Sequence, residues 1–365
     1  MTKIKDVIQY LASVAPPAYQ ESYDNATLIT GNRQSEVKGI LVTLDCVESV
    51  VDEAISKGCN LIVAHHPIIF KGLKSLTGSN YVERTVIKAI KNDVAIYAIH
   101  TNLDNVRDGV NAKIAEKLGI ARPKILAPKK SILNKIVFFV PVEDKEKVSQ
   151  AMYAAGAGVI GNYSHCSFTT SGTGTFKPGE AADPHIGNKN QLEKVEEERV
   201  EIMFPAYLTH KVVDAMKKAH PYEEVAHYIT QLENENQDVG SGMIGELAKP
   251  MEPFEFLNDL KERMSLACIR HTEPGSKKIK KVAWCGGAGS FLLSHAIRQQ
   301  ADVFITADFK YHEFFDAEGK ILIADIGHYE SEVYTKELIN DILTEKFTNF
   351  ATNLSDTVTN PISYL

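Results

Sequence analysis

Apolar residues in the first third of the chain switch between two periods. Over residues 4–12, 47–57 and 81–92 they recur three and four apart, the spacing of one helical face, whereas 39–44, 60–64 and 94–99 are short, nearly continuous apolar runs. Helices alternating with short buried strands predict a parallel or mixed sheet covered by helices. The last third repeats the plan, with strands expected over 281–285, 302–306 and 321–325 and a helix over 291–300. The turn Gly286-Gly287-Ala288-Gly289-Ser290 lies between the first of these strands and that helix.

The middle of the chain follows another order. Strands are expected over 135–141, 199–204 and 226–232, helices over 145–155 and 209–219, and a hairpin region rich in Ser, Thr and Gly over 162–176. The resulting β-α-β-β-α-β order is that of a ferredoxin-like unit. Its flanks, Ala127-Pro128-Lys129-Lys130 and residues 233–241, are polar and are expected to be linkers. The predicted architecture is therefore α/β, with two similar halves (1–128 and 240–365) forming a mixed-sheet core, interrupted by a ferredoxin-like α+β insert (131–232).

Chemistry collects at the predicted strand ends. His65 and His66 follow Leu61-Ile62-Val63-Ala64 and precede Pro67, where a buried strand gives way to a loop and where α/β sheets gather functional groups. Neighbours on an extended segment point to opposite sides, so one metal could hardly use both, while two metals could take one each. Taken alone, the pair is better explained as two satisfied structural histidines. The internal repeat changes that weighing. The first half carries Ala64-His65-His66 and His100-x-x-x-Asp104; the second carries Ala307-Asp308 with nearby His312, and His328-x-x-x-Glu332.

His65, His66, Asp104, His328 and Glu332 together give three imidazoles and two carboxylates, expected at strand ends of one sheet. That mixture suits zinc, iron or manganese better than magnesium or calcium, and it exceeds the three protein ligands of a single catalytic zinc. Two divalent metals sharing a carboxylate fit it, an arrangement that serves hydrolysis by clamping attacking and leaving atoms. His100, His312 and Asp308 are candidates for ligand orientation or proton transfer. Blander readings stay open: His328 and Glu332 as a helix-start pair favoured by the dipole, and His312 as a surface helix residue. The glycine-rich turn fits either an anion cradle or a turn needed for tight packing.

Composition narrows the function classes. The apolar fraction of 44% and charged fraction of 24% are those of a globular protein, and no apolar run is long enough to span a bilayer. The opening residues lead into an amphipathic pattern and not a signal peptide, so a cytoplasmic location is expected. A net charge of −7 argues against sequence-independent nucleic-acid binding. The five cysteines are odd in number and contain no Cys-x-x-Cys pair, which indicates neither a disulfide framework nor a thiolate zinc site.

Four motifs carry a family resemblance. Asn60-Leu61-Ile62-Val63-Ala64-His65-His66-Pro67, His100-Thr101-Asn102-Leu103-Asp104, Trp284-Cys285-Gly286-Gly287-Ala288-Gly289-Ser290 and Asp325-Ile326-Gly327-His328-Tyr329-Glu330-Ser331-Glu332 resemble the NGG-interacting factor 3-like family, also known as GTP cyclohydrolase I type 2. The middle segment resembles the PII/CutA-like domain of its longer bacterial members. The resemblance implies a dinuclear metal site on His65, His66, Asp104, His328 and Glu332, with Glu332 as the bridge, and a ring-shaped homohexamer built as a trimer of dimers. It also implies a small-molecule substrate, GTP or another nucleotide. The activity attached to the family name is hydrolytic opening of the guanine imidazole ring of GTP with release of formate, His312 or His100 assisting proton transfer. Two motifs depart from the family pattern: the usual Asp-Asn-x-Gly-Leu is Asp24-Asn25-Ala26-Thr27-Leu28, and the usual Thr-Gly-Asp is Thr306-Ala307-Asp308. A reading of another class is a metal-binding scaffold or carrier whose insert senses a ligand.

Overall fold

A computed structural model describes residues 1–365. In the first half the strands are β1 (Leu28–Thr30), β2 (Gly39–Thr43), β3 (Leu61–Ala64) and β4 (Ala95–Ala98). β2, β3 and β4 are parallel, and β1 lies antiparallel to β4. Every residue of β2, β3 and β4 is buried, which is why these strands read as unbroken apolar runs and not as alternating ones. The helices Glu48–Ser56 and Tyr81–Lys91 set Val50, Val51, Ala54, Val86 and Ala89 into one cluster with Leu41, Ile62 and Ile96. Each large aliphatic side chain buried there contributes about 1.5–3 kcal/mol.

β5 (Lys124–Lys129) closes the first half, and residues 128–237 form a compact unit of their own. Its strands are β6 (Leu133–Pro141), β7 (Phe168–Phe176), β8 (Glu193–Pro205) and β9 (His227–Leu232), in the order β7-β8-β6-β9, antiparallel throughout. The helices Lys145–Ala154 and Thr209–Ala219 supply Val148, Met152, Val212 and Met216 to a core with Ile136, Phe138, Ile202 and Phe204.

The other unit, residues 1–127 and 238–365, is completed by β10 (Asn236–Met251), β11 (Arg270–His271), β12 (Ile279–Ala288), β13 (Val303–Ala307), β14 (Leu322–Asp325) and β15 (Ala351–Leu354). The second sheet has the order β11-β14-β13-β12-β10-β5, with β12, β13 and β14 parallel and β11 antiparallel to β14. Each half thus has a short antiparallel strand followed in the chain by three parallel ones. β15 returns to the first sheet and pairs in parallel with β2.

Three local expectations change. The predicted ligands stand on two sheets and not one, the first carrying His65, His66 and Asp104 and the second His328 and Glu332. The two polar flanks are largely strand, because β5 takes in Ala127 to Lys129 and β10 begins at Asn236; the buried Val239, Met243 and Ile244 of β10 are masked in sequence by Gly, Ser and Asp neighbours. The glycine-rich turn is in part strand, since β12 continues to Ala288 with a register shift after Trp284. No helix is long and apolar enough to cross a membrane.

Candidate metal centre

β3 and β4 stop side by side, and their ends deliver the first-half residues. Beyond Ala64 the chain bends out of the extended conformation, with His65 N–H donating to Thr43 O at 3.1 Å and His66 N–H to Leu44 O at 2.9 Å. The expected divergence of neighbouring side chains therefore fails: the two rings lie 4.9 Å apart, and each is 5.2 Å from the ring of His100. His100 precedes the short helix Thr101–Asp104, which carries Asp104. From the second sheet, β14 leads through Gly327 into the short helix His328–Glu332, and Asp308 follows β13.

The halves converge on one carboxylate oxygen. Glu332 Oε2 lies 2.9 Å from His66 Nε2 and 3.1 Å from His328 Nε2, and His65 Nε2 is 4.0 Å away. His65 Nε2 and Asp104 Oδ1 are buried, 3.6 Å apart and without a hydrogen-bond partner. Orphaned buried polar atoms are costly and call for an explanation. A bound cation would satisfy both. Three groups have ligand atoms within 4.8 Å of one another: His65, His66 and His100; His66, His328 and Glu332; and His65, Asp104 and Glu332.

Each imidazole is fixed by its other nitrogen. His65 Nδ1 donates to Ile99 O at 2.9 Å, His66 Nδ1 to Asp45 Oδ1 at 2.7 Å, His328 Nδ1 to Asp308 Oδ2 at 2.7 Å and His100 Nδ1 to Asp24 Oδ1 at 2.8 Å. This is the usual arrangement of metal-ligating histidines, in which the outer partner sets the tautomer and ring orientation. Asp308 holds a left-handed backbone with φ of 60°, a conformation that aspartate tolerates better than most residues.

The charges are unevenly spread. Burial pushes His65 down to about 3, so its ring is neutral with a free Nε2 lone pair. Burial opposes charge on His66 and His328 as well, but their hydrogen bonds to Asp45 and Glu332, and to Asp308 and Glu332, prevail and lift them to about 9 and about 11. Burial likewise opposes ionisation of Glu332, and the bonds from His328 and His66 outweigh it and hold its carboxyl well below the usual range. Asp104 goes the other way, raised by burial and by the neighbouring Glu332. The His66 and His328 rings, both drawn toward the imidazolium form, bond the same Glu332 oxygen.

Of the eight residues singled out from sequence, seven share this cluster. The eighth, His312, is exposed and packs its ring on Tyr311 and Phe315. Asp24 and Asp45 were not singled out. Asp45 lies two residues beyond β2 as His66 lies two beyond β3, so a polar residue just past a buried strand was the available signal. Asp24 also accepts from Thr101 N–H at 3.0 Å and from its hydroxyl at 2.5 Å; burial opposes its charge, yet these bonds and His100 bring it down to about 2. The glycine-rich turn serves packing: Gly287 lies against Glu332, and its N–H is bonded to Ser331 Oγ at 2.9 Å.

Comparison with known proteins is consistent along the chain. The sequence profile of the family described as Duf34/NIF3 (NGG1p interacting factor 3) matches residues 2–361. The Bacillus subtilis (strain 168) protein named GTP cyclohydrolase 1 type 2 homolog is 40% identical over 367 residues, covering 99% of this chain and 98% of the relative. The protein of the same name from Halalkalibacterium halodurans is 39% identical over 365 residues, covering 98% of each. Among solved structures, a Bacillus cereus protein related to NIF3 superposes with a TM-score of 0.87 at 38% identity, covering 100% of this chain and 99% of that one.

Proposed function

Because this chain belongs to the Duf34/NIF3 (NGG1p interacting factor 3) family, we propose that the cluster around Glu332 binds two divalent cations and hydrolyses a small molecule, GTP or a related nucleotide. The observation that carries the reading is the convergence of His66, His328 and His65 on Glu332 Oε2, beside the orphaned pair His65 Nε2 and Asp104 Oδ1.

In this reading His65, His66, Asp104, His328 and Glu332 are the ligands, and zinc, iron or manganese suits the donor set. When bound, the metals supply Lewis-acid activation of water and of the group under attack. The chain's own contribution is orientation. Asp45 and Asp308 hold the rings of His66 and His328 with Nε2 toward Glu332, and each ring gives up its Nε2 proton on becoming a ligand. His100, held by Asp24 and with Phe70 5.7 Å from its ring, is placed to carry a proton at Nε2 to or from the reacting group. Exposed His312 is not assigned that role within one chain. A ring-shaped hexamer, a trimer of dimers in the cytoplasm, completes the proposal, with residues 128–237 as its ferredoxin-like insert.

Formate release from GTP and a panel of other nucleotides, measured on zinc-, iron- and manganese-loaded protein, tests the activity. Formate is expected from at least one nucleotide, with at least about a hundredfold loss in Glu332→Gln, the scale of removing a major electrostatic stabiliser. Tight uptake of two metals without turnover of any nucleotide would replace hydrolysis by metal storage or transfer.

A further inference from the structure

Residues 355–365 have no part in the reading above, although they run beside the cluster. After β15, Glu53 holds the start of this segment, accepting from Ser355 Oγ at 2.6 Å, Asp356 N–H at 2.8 Å and Thr357 Oγ1 at 2.6 Å. Thr359 Oγ1 then donates to Asp45 Oδ2 at 2.6 Å. Asn360 Nδ2 donates to Glu330 Oε1 at 2.9 Å, on the helix that carries His328 and Glu332. Burial and the nearby Glu330 carboxylate raise the Tyr364 hydroxyl above its ordinary value. One segment therefore straps the loop that orients His66 to the helix that brings the second-half ligands.

Building on the metal-centre reading, we propose that Thr359 is a positioning residue for that centre: it fixes the Asp45 carboxylate, and Asp45 in turn fixes which ring nitrogen His66 presents. The two oxygens of Asp45 are used in different directions, Oδ1 toward His66 Nδ1 at 2.7 Å and Oδ2 toward Thr359. Its backbone carbonyl is tied to Thr43 Oγ1 at 2.8 Å. With His66 as its only side-chain partner, the carboxylate could rotate about Cβ–Cγ and the imidazole would follow. With both oxygens engaged its plane is set, Nδ1–H is committed to Asp45, and Nε2 faces Glu332. The strap thus contributes to cation binding without a ligand of its own.

Outer partners of ligating histidines change metal affinity roughly 10–100-fold when removed, and Thr359 stands one bond further out, so a loss of about three- to tenfold is expected. The test is titration of the intact, chelator-treated chain with Zn²⁺, read as affinity and stoichiometry, with thermal unfolding of the metal-free proteins alongside. Thr359→Val should weaken zinc binding while the metal-free protein unfolds at the same temperature, Thr359→Ser should restore it, and Asp45→Asn should weaken it further. Zinc binding by Thr359→Val equal to that of the unaltered chain, or equal loss in Val and Ser variants, overturns the proposal. Failure of the unaltered chain to take up zinc, manganese or iron overturns the metal-centre reading, and this proposal with it.

Discussion

At Gly287 the backbone has φ of 61°, and a Cβ there would come within 2.4 Å of Glu332 Oε1 and 3.3 Å of His328 Cε1. Both facts require glycine. Gly287→Ala is expected to cost about 1–3 kcal/mol from the left-handed backbone alone and to push the Glu332 carboxylate from its place. Melting temperature and zinc uptake measured together check this, and an alanine variant with the parent's zinc affinity would show that Glu332 accommodates the methyl group. The histidines were legible because two adjacent imidazoles after a buried strand are uncommon and because His-x-x-x-carboxylate recurs in both halves. Their carboxylate partners Asp45, beyond β2, and Asp24, in the loop before β1, were not, since an acidic residue in a loop is ordinary until the ring it faces is known. His312 shows the converse: its place in Lys310-Tyr311-His312-Glu313, near Asp308, suggested chemistry, but the backbone after Asp308 carries it to an exposed position beside Tyr311 and Phe315.

In the two sheets of the core, strands buried on both faces were the legible ones, and the edge strands β1, β5, β11 and β15 were not. β2, β3, β4, β13 and β14 are apolar runs with little choice of where to go, whereas β15, Ala-Thr-Asn-Leu, is half-exposed and gains its identity from pairing with β2. The segment after β15 depends on Glu53. Burial opposes that carboxylate's charge, but Lys57, Ser355 and Thr357 outweigh it and bring it to about 2 from an ordinary 4.5. A depressed folded pKa means that this contribution is complete above the ordinary value and is lost as pH falls from 4.5 through about 2. Hydrogen exchange at the Asp356 and Thr357 amides, both donated to Glu53, is therefore expected to be slow at pH 6 and to lose protection, after correction for intrinsic rates, progressively as pH falls from 4.5 through about 2. Glu53→Gln should lose protection at both pH values; retained protection in that variant would assign the anchoring to β15 alone.

On the scale of the molecule, the α/β class and the doubling of the core were legible in the alternation of periods. The division into two sheets was not, because a run of buried strand does not say which neighbour it pairs with. Cross-ties between the halves are equally silent in sequence. Asn111 is one: its carbonyl accepts from Trp284 Nε1 at 2.8 Å, its Oδ1 from Gly286 N–H at 3.1 Å, and its Nδ2 donates to Asp104 O at 3.2 Å. Residues 128–237 have an apolar core drawn entirely from themselves. Expressed alone, that segment is expected to unfold in one cooperative thermal transition, followed by circular dichroism. A shallow, non-cooperative trace would mean that its four strands need the rest of the chain.

The return of β15 to the first sheet also sets an order of events during synthesis. His65, His66 and Asp104 leave the ribosome early, yet the strand that completes their sheet comes at 351–354, and Ser355 meets Glu53 across 302 residues. A nascent chain at that stage holds three of the five proposed ligands and neither Glu332 nor residues 355–365. If the centre is the two-metal site proposed above, its full ligand set exists only once the second half has been made, and selection among metals belongs to the completed chain.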